Sequence, residues 1–365
     1  MEEGVRVFKA DMGEAIPEEA AFYDGRTGLE AHNAYAVEYS STVFEAVRDF
    51  YGEGLVWGRP GYAGIQAYPA QWAGDSHSTY KHMAATLWGV LSYSMSGVPF
   101  WSHDIGGFQG DRPTPELYVR WAQWGLLGPL SRAHGSQPRE PWEYGEEALK
   151  IFKKFDELRY SLIPYLCSLA VRSCDDCVPM VRPMVLEFQN DPTTWRIDSQ
   201  YMLGKGLMVI PVLSEGGEVS YYLPGGWWAD FWRPRKELSG RVWIRQKVSL
   251  SSIPLWIRED AIIPITEPVQ YVGEKPFREI TVMIYPKNRG TFRYSFDGEA
   301  CSISFTKSKG NLEVTLGPSK KTWNVKLMNV VKPKRVTGAK WSYGQGSLTL
   351  EGITPERRTR IRVSL

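Results

Sequence analysis

The sequence predicts an α/β domain followed by all-β structure, and three patterns carry that expectation. From residue 5 to about 175, short apolar runs alternate with amphipathic helical segments, as in a parallel sheet whose strands are joined by helices. After Pro179 the period becomes two, as in Tyr221-Tyr222-Leu223-Pro224 before Gly225-Gly226, with no long helical stretch. A second region of that kind follows about Pro264, where Phe292, Tyr294 and Phe296, then Leu312, Val314 and Leu316, recur at alternate positions. The expected domains are residues 1–179, α/β, and residues 180–264 and 265–365, each a β-sandwich; 365 residues suffice for several cores.

Within the first domain, strands are expected near residues 5–11, 55–59, 66–73, 98–104 and 130–134, and helices near 40–51, 78–95, 114–127 and 144–172. The third helix has a defined start, because Thr114 can cap it and Pro115 suits its first turn. Its buried stripe should be Leu117, Trp121 and Trp124, spaced i, i+4, i+7. The uncharged stretch Met83–Trp101 contains Gly89, Gly97, Pro99 and several serines, so a buried helix followed by a buried strand accounts for it better than a membrane span. Five parallel strands are too few to close an eight-stranded barrel.

Composition removes several function classes. Lys plus Arg total 43 against 41 for Asp plus Glu, which gives no electrostatic footprint for nucleic acid or an anionic membrane and favours a neutral partner. Lys320-Lys321 and Lys332-Pro333-Lys334-Arg335 are expected to be solvated faces. The 15 tryptophans fit a protein that packs flat rings against sugars, although most should fill cores. Cysteines at 167, 174, 177 and 301 make no disulfide framework; Cys174-Asp175-Asp176-Cys177 reads as a turn after a helix, with a local disulfide as the alternative. Met1-Glu2-Glu3-Gly4 runs directly into a strand with no secretory pattern, so a cytoplasmic location is expected. No zinc-type spacing, G-x-G-x-x-G loop or P-loop occurs, and neither metal nor cofactor is expected.

Two carboxylates stand just past strand-like runs, where parallel α/β folds place their chemistry: Asp11 in Val5-Arg6-Val7-Phe8-Lys9-Ala10-Asp11-Met12-Gly13-Glu14, and Asp75 in Gln71-Trp72-Ala73-Gly74-Asp75. A carboxylate pair flanking one bond is the minimal equipment for splitting a glycoside. Lys9 and Asp11, two apart on a strand, should share a face, where Lys9 would keep Asp11 ionised. For K-x-D alone a surface ion pair would be the simpler account; the surrounding runs decide otherwise.

The runs FKADMGE, WAGD, FWSHDIGGF and SRAHGS, in this order, resemble glycoside hydrolase family 31, most closely its α-xylosidase branch, over nearly the whole chain. The resemblance implies that Asp11 is the nucleophile and Asp75 the acid/base of a retaining α-glycosidase, protonated when the leaving oxygen departs and ionised when water attacks. It also implies that Lys9, Arg59, Asp104 and His134 bind sugar hydroxyls, with Trp72 and Phe108 as apolar walls; His103 would act only through its neighbours. Family α-xylosidases typically carry K-x-D-F-G-E around the nucleophile and α-glucosidases W-x-D-M-N-E. This chain has Lys9, Gly13 and Glu14 of the first pattern, with Met12 where Phe is usual, so an α-xylosidase acting on xyloglucan-derived oligosaccharides is expected and an α-glucosidase is the alternative.

The family nucleophile ends the fourth strand of a TIM barrel, so the resemblance implies the C-terminal half of such an enzyme: strands four to eight of a (β/α)8 barrel, then two β-sandwich domains. A separately encoded N-terminal half is the expected partner, with a homo-oligomer once complete, and the chain alone should be inactive and prone to associate. A non-catalytic carbohydrate-binding remnant is the reading from another class; retention of both Asp11 and Asp75 in full motif context speaks against it.

Overall fold

A computed structural model describes residues 1–365. Four short strands, β1 (Phe8–Ala10), β2 (Val56–Gly58), β3 (Gln71–Trp72) and β4 (Trp101–Ser102), pair in parallel in chain order. Past His103 the chain continues as β5 (Asp104–Ile105), which pairs in parallel with β6 (Arg132–Ala133). Helices α1 (Gly28–Tyr51), α2 (Tyr80–Met95) and α3 (Pro115–Gly125) cross between strands. The functional runs all lie at or just past the C-terminal ends of these strands, the side of a parallel sheet that carries ligands.

Four elements differ from expectation. The strand expected near 98–104 is two, β4 and β5, which lie in different sheets on either side of His103. The first helix starts at Gly28 rather than near residue 40, because Thr27 and Glu30 form a capping box: the Glu30 N–H donates to Thr27 Oγ1 and the Thr27 N–H to Glu30 Oε2 at 2.8 Å. Of its early residues only Gly28, Ala31 and Ala36 are buried, so hydrophobic periodicity does not mark that start. The run at 66–73 is a 3₁₀ turn (Ile65–Ala67) followed by a strand of two residues, since Pro69 has no N–H to give a ladder. The long helix at 144–172 is two, α4 (Glu146–Ser161) and α5 (Ile163–Asp176), broken where Pro164 removes a helical hydrogen bond.

The third helix is as expected at its start, with Thr114 Oγ1 accepting from the Leu117 N–H and Pro115 in the first turn. Leu117, Trp121 and Trp124 are fully buried, and the opposite face is buried as well. There the Arg120 guanidinium donates to the carbonyls of Val248, Ser249 and Ser252, and Gln123 to that of Leu250. A buried guanidinium is tolerable when its charge and terminal donors are matched; Nη1 and Nη2 make these bonds, Nε lies 3.5 Å from Glu116, and the contacts tie the α/β region to the next one.

That next region is built on a six-stranded antiparallel sheet of β7 (Val181–Pro183), β8 (Tyr201–Leu203), β9 (Leu207–Val209), β11 (Trp227–Asp230), β12 (Glu237–Ser239) and β14 (Leu255–Arg258), in the order β12-β11-β14-β9-β8-β7. A separate antiparallel pair joins β10 (Glu218–Leu223) to β13 (Val242–Lys247). One face of the large sheet shares a 36-residue core with α2–α5; the other packs Met202, Met208, Trp228 and Trp256 against Tyr221 and Leu223 of the pair. Beyond Ile262 two five-stranded sheets enclose a 19-residue core that contains Ile280, Val282, Tyr294, Val314 and Trp323. Lys321 departs from the expected solvated face: its side chain is buried, and Nζ donates to Phe277 O and Asp297 Oδ2, each at 2.7 Å. Cys174 and Cys177 are both free, at the end of α5. No helix is long and apolar enough to cross a membrane.

Candidate active site

The turn after β1 builds the first half of the site. Met12 and Gly13 both take left-handed backbone conformations, φ 67° and 86°. A Cβ at Gly13 would lie 2.5 Å from the Tyr39 ring and 2.9 Å from Pro60, so the tight turn that presents Asp11 admits only glycine. The Met12 N–H donates to Asp11 Oδ1 at 2.8 Å, and Tyr39 Oη donates to the Asp11 carbonyl at 2.6 Å. Lys9 and Asp11 share a face: Lys9 Nζ lies 3.6 Å from Asp11 Oδ2 and 4.3 Å from the centroid of the Trp72 ring.

Arg59, just past β2, connects three carboxylates. Its Nη1 is 2.9 Å from Asp11 Oδ1 and 3.7 Å from Asp75 Oδ2, and its Nη2 is 2.6 Å from Glu14 Oε1. Burial pushes the Asp11 carboxyl up, but the Met12 N–H, Arg59 and Lys9 outweigh it and hold the group below the usual carboxylate range. Asp11 is therefore ionised at neutral pH. Beside Arg59 and Asp75 a pocket of about 580 Å³ opens toward Trp72, His82 and Tyr93.

The second half comes from β5, β6 and the loops after them. Asp104 is completely buried; Oδ1 accepts from Arg132 Nε at 2.7 Å, while Oδ2 has no partner within the protein. The Arg132 guanidinium also lies 5.3 Å from the Trp57 ring and 5.2 Å from that of Trp72, so it is held between two aromatic faces and a carboxylate. Burial raises Asp104 above the ordinary carboxylate range, opposed first by Arg132. Burial depresses His134, against the pull of Asp104, and leaves its ring neutral at pH 7. His134 stands 5.4 Å from Phe108.

These loops are cross-linked through their backbones. The Phe108 N–H donates to Ser76 O and the Ser136 N–H to Phe108 O, so the segments bearing Asp75, Phe108 and His134 form one unit. Buried Arg139 completes it, donating from Nε to Gly107 O at 3.0 Å, from Nη2 to Ser78 Oγ at 3.1 Å and from Nη1 to Gln137 O at 3.0 Å. At Gly107, φ 80°, a Cβ would lie 2.7 Å from the Ser78 backbone, which explains the second glycine of the FWSHDIGGF run.

The structure thus brings Lys9, Asp11, Arg59, Trp72 and Asp75 into direct contact or ion-pair range, with Asp104, Phe108 and His134 on the adjoining wall. His103 belongs to the core: Nδ1 accepts from Trp121 Nε1 at 2.9 Å, the ring stacks on Trp124 at 3.9 Å, and burial lowers its pKa to about 3. Sequence reasoning uses Glu14 only as part of the FKADMGE pattern and gives Arg132 no role. Each carries a legible signal, Glu14 as the end of FKADMGE and Arg132 two residues before His134, hence on the same strand face. No group of three or more His, Cys, Asp or Glu is placed to hold a metal.

Arg132→Met is expected to destabilise the fold by about 3–5 kcal/mol at pH 7, because it leaves Asp104 as an unpaired buried charge. Asp104 is already raised in the folded state, so its favourable contribution is present in acid and lost as pH rises through the folded value; removing Arg132 raises that value further. The difference from the parent protein should therefore shrink toward pH 4. Urea unfolding followed by tryptophan fluorescence at the two pH values checks this, and an equal loss at both would refute it.

Comparison with known proteins is consistent in family and varied in substrate. Residues 1–169 match the glycosyl hydrolases family 31 TIM-barrel domain and residues 177–263 the glycosyl hydrolase family 31 C-terminal domain. An α-xylosidase from Emericella nidulans is 35% identical over 295 residues, 78% of this chain and 38% of that protein. An isomaltosyltransferase from Sporosarcina globispora is 31% identical over 359 residues, 92% of this chain and 33% of that protein. Among solved structures, a family 31 dextranase from Flavobacterium johnsoniae complexed with glucose superposes with a TM-score of 0.93 at 29% identity, over 100% of this chain and 53% of that one. The chain spans less than half the length of these two curated relatives.

Proposed function

This chain belongs to glycoside hydrolase family 31, and from that premise we propose that it carries the catalytic residues of a retaining α-glycosidase whose preferred substrate is an α-xyloside, such as the terminal α-xylose of xyloglucan oligosaccharides. The observation that carries the reading is the contact of one nitrogen, Arg59 Nη1, with both Asp11 and Asp75. Two carboxylates that close suit a double displacement, which needs no water between them, better than a single one. Asp11 attacks the anomeric carbon as the glycosidic C–O bond breaks, and Asp75 gives its proton to the leaving oxygen. Water then adds at the same carbon, its proton passes to Asp75, and the Asp11 carboxylate is released.

The other residues take roles that their surroundings support. Asp104 Oδ2, buried and unpartnered, can accept from a sugar hydroxyl, the neutral His134 ring can donate or accept, and Lys9 and Arg59 donate. Trp72 and Phe108 form apolar walls. No cofactor enters the reaction.

Residues 1–179 are assigned to strands four to eight of a (β/α)8 barrel and residues 180–264 and 265–365 to two β-sandwich domains. An N-terminal half-barrel is the proposed partner, and the assembled enzyme a homo-oligomer. An open apolar cavity of about 790 Å³ supports the first, lined by Val7, Leu55, Trp57, Phe100, Ile105 and Leu130 beside β1 and β6, which are edge strands here. Catalysis requires accurate positioning, so full turnover is assigned to the assembled enzyme.

The xyloside preference rests on Lys9 beside the nucleophile and on the Gly13-Glu14 ending. Met12, 65% exposed at the rim in place of the usual Phe, favours a second reading, an α-glucosidase. The assembled enzyme is expected to show a kcat/KM on p-nitrophenyl α-xyloside about 10- to 100-fold above that on the α-glucoside, the range available from excluding one small group. A preference for the glucoside would move the assignment to α-glucosidase.

A further inference from the structure

Away from the carboxylate site, a cleft of about 520 Å³ opens on the first β region between residues 187–191 and the turn at 224–226. Its lining is polar: Glu187, Gln189, Asn190, Asp191, Arg241 and Glu259, with Phe188 the one large apolar side chain. Two of the most exposed tryptophans of the molecule, Trp195 and Trp243, at 58% and 56%, stand outside that lining and connect to it, Trp195 directly and Trp243 through Tyr222. Trp195 follows the loop in the short turn Pro192–Arg196, and its Nε1 donates to Gln189 O at 2.9 Å. Trp243 lies across from Tyr222 in the β10–β13 pair, with ring centroids 5.4 Å apart, and Tyr222 Oη donates to Asp191 Oδ2 at 2.9 Å.

The Trp195 ring is therefore held by the loop that forms the cleft, the Trp243 ring packs on Tyr222, which is bonded to that loop, and both remain exposed. An exposed tryptophan forgoes the burial of a large apolar area, and two near one polar cleft, one on its loop and one on β13, offer flat surface to a ligand. The chemistry on offer is specific. Flat aromatic faces beside amide, carboxylate and guanidinium groups match a ligand with an apolar C–H face and a rim of hydroxyls, each of which both donates and accepts. The lining holds Glu187, Asp191 and Glu259 against Arg241, but Glu187 is paired with Arg182 and Arg258 outside the cleft, so the remaining charge is small and suits a neutral ligand better than an anion.

We propose that this cleft is a second, non-catalytic binding site for a neutral oligosaccharide, which would hold a polymeric substrate to the protein independently of the catalytic pocket. The residues belong to none of the β1–β6 ends, so the proposal stands or falls apart from the assignment of Asp11 and Asp75.

Native electrophoresis of the 365-residue chain through gels containing dextran or xyloglucan tests it, with a non-binding protein as mobility reference. Retardation by at least one polysaccharide is expected, with an apparent Kd raised tenfold or more in the double variant Trp195→Ala, Trp243→Ala. His134→Ala, in the catalytic pocket, should migrate like the parent. Trp195→Phe, Trp243→Phe keeps flat rings and should keep most of the retardation, which separates loss of stacking from loss of fold. Absence of retardation in both gels, retardation that survives the double alanine change, or retardation lost only in His134→Ala would each overturn the proposal. So would self-association that depends on the two tryptophans and is indifferent to either polysaccharide.

Discussion

Asp11→Ala is expected to lower turnover of an aryl α-glycoside by the assembled enzyme by on the order of 10⁵-fold, the scale on which loss of a covalent nucleophile is felt. The surroundings of Asp11 suit the proposed role. Its carboxylate is kept ionised by the Met12 N–H, Arg59 and Lys9, and its backbone is fixed by Tyr39 and by the glycine-only turn at 13. Truncation leaves a space the size of a carboxylate next to two cations, which azide can enter. Azide attacking from that face inverts the anomeric carbon once, so the rescued product should be the β-glycosyl azide. Asp75→Ala leaves the nucleophile in place and should retain activity on substrates whose leaving groups need no proton; azide then attacks the glycosyl-Asp11 species from the opposite face and gives the α-azide. NMR of the two azide products decides the matter. The same anomer from both variants, or equal loss on good and poor leaving groups, would undo the division of roles between Asp11 and Asp75.

What was legible in the sequence follows from how locally each feature is determined. The helix at 115–125 was readable because its cap, its proline and its buried stripe all lie within it. The start of the first helix was not: its capping box is local, but a helix whose early turns bury little shows no hydrophobic period. Each expected strand of the α/β region contains an observed one, but all are overestimated in length, the run at 66–73 opens as a 3₁₀ turn and that at 98–104 splits at His103, since pairing of two or three residues is set by neighbours from distant sequence. Lys321 looked like a solvated charge because its partner Asp297 and the Phe277 carbonyl come from another part of the fold. Within the candidate site, motif context names Asp11, Arg59, Asp75, Asp104 and His134, which the structure brings near one another, whereas the contacts of Glu14 with Arg59 and of Arg132 with Asp104 have no signal in the motifs. Their places in the runs are legible, but what they touch comes only from the distances.

Arg59→Met is expected to reduce kcat/KM by about 10³-fold, at the upper end of what removal of one preorganised donor costs, because this guanidinium serves several groups at once. It lies 2.6 Å from Glu14, 2.9 Å from Asp11 and 3.7 Å from Asp75, so its loss leaves three carboxylates converging with Lys9 as the nearest remaining cation. Arg59 is among the influences that hold Asp11 below the usual carboxylate range. Without it the Asp11 pKa rises; catalysis needs the ionised nucleophile, so the acidic limb of the kcat/KM profile must move to higher pH. Arg59→Lys separates charge from geometry. An ammonium on that stem restores a positive charge near Asp11 and should bring the acidic limb back toward the parent, but one point charge cannot present two parallel edges to Glu14 and the Asp11–Asp75 pair. Much of the loss in kcat/KM should therefore persist in Arg59→Lys while the pH profile recovers. If Arg59→Met left the acidic limb where it was, the guanidinium would bind substrate only; if Arg59→Lys recovered both properties together, the bridging of Asp11, Glu14 and Asp75 would have no catalytic weight.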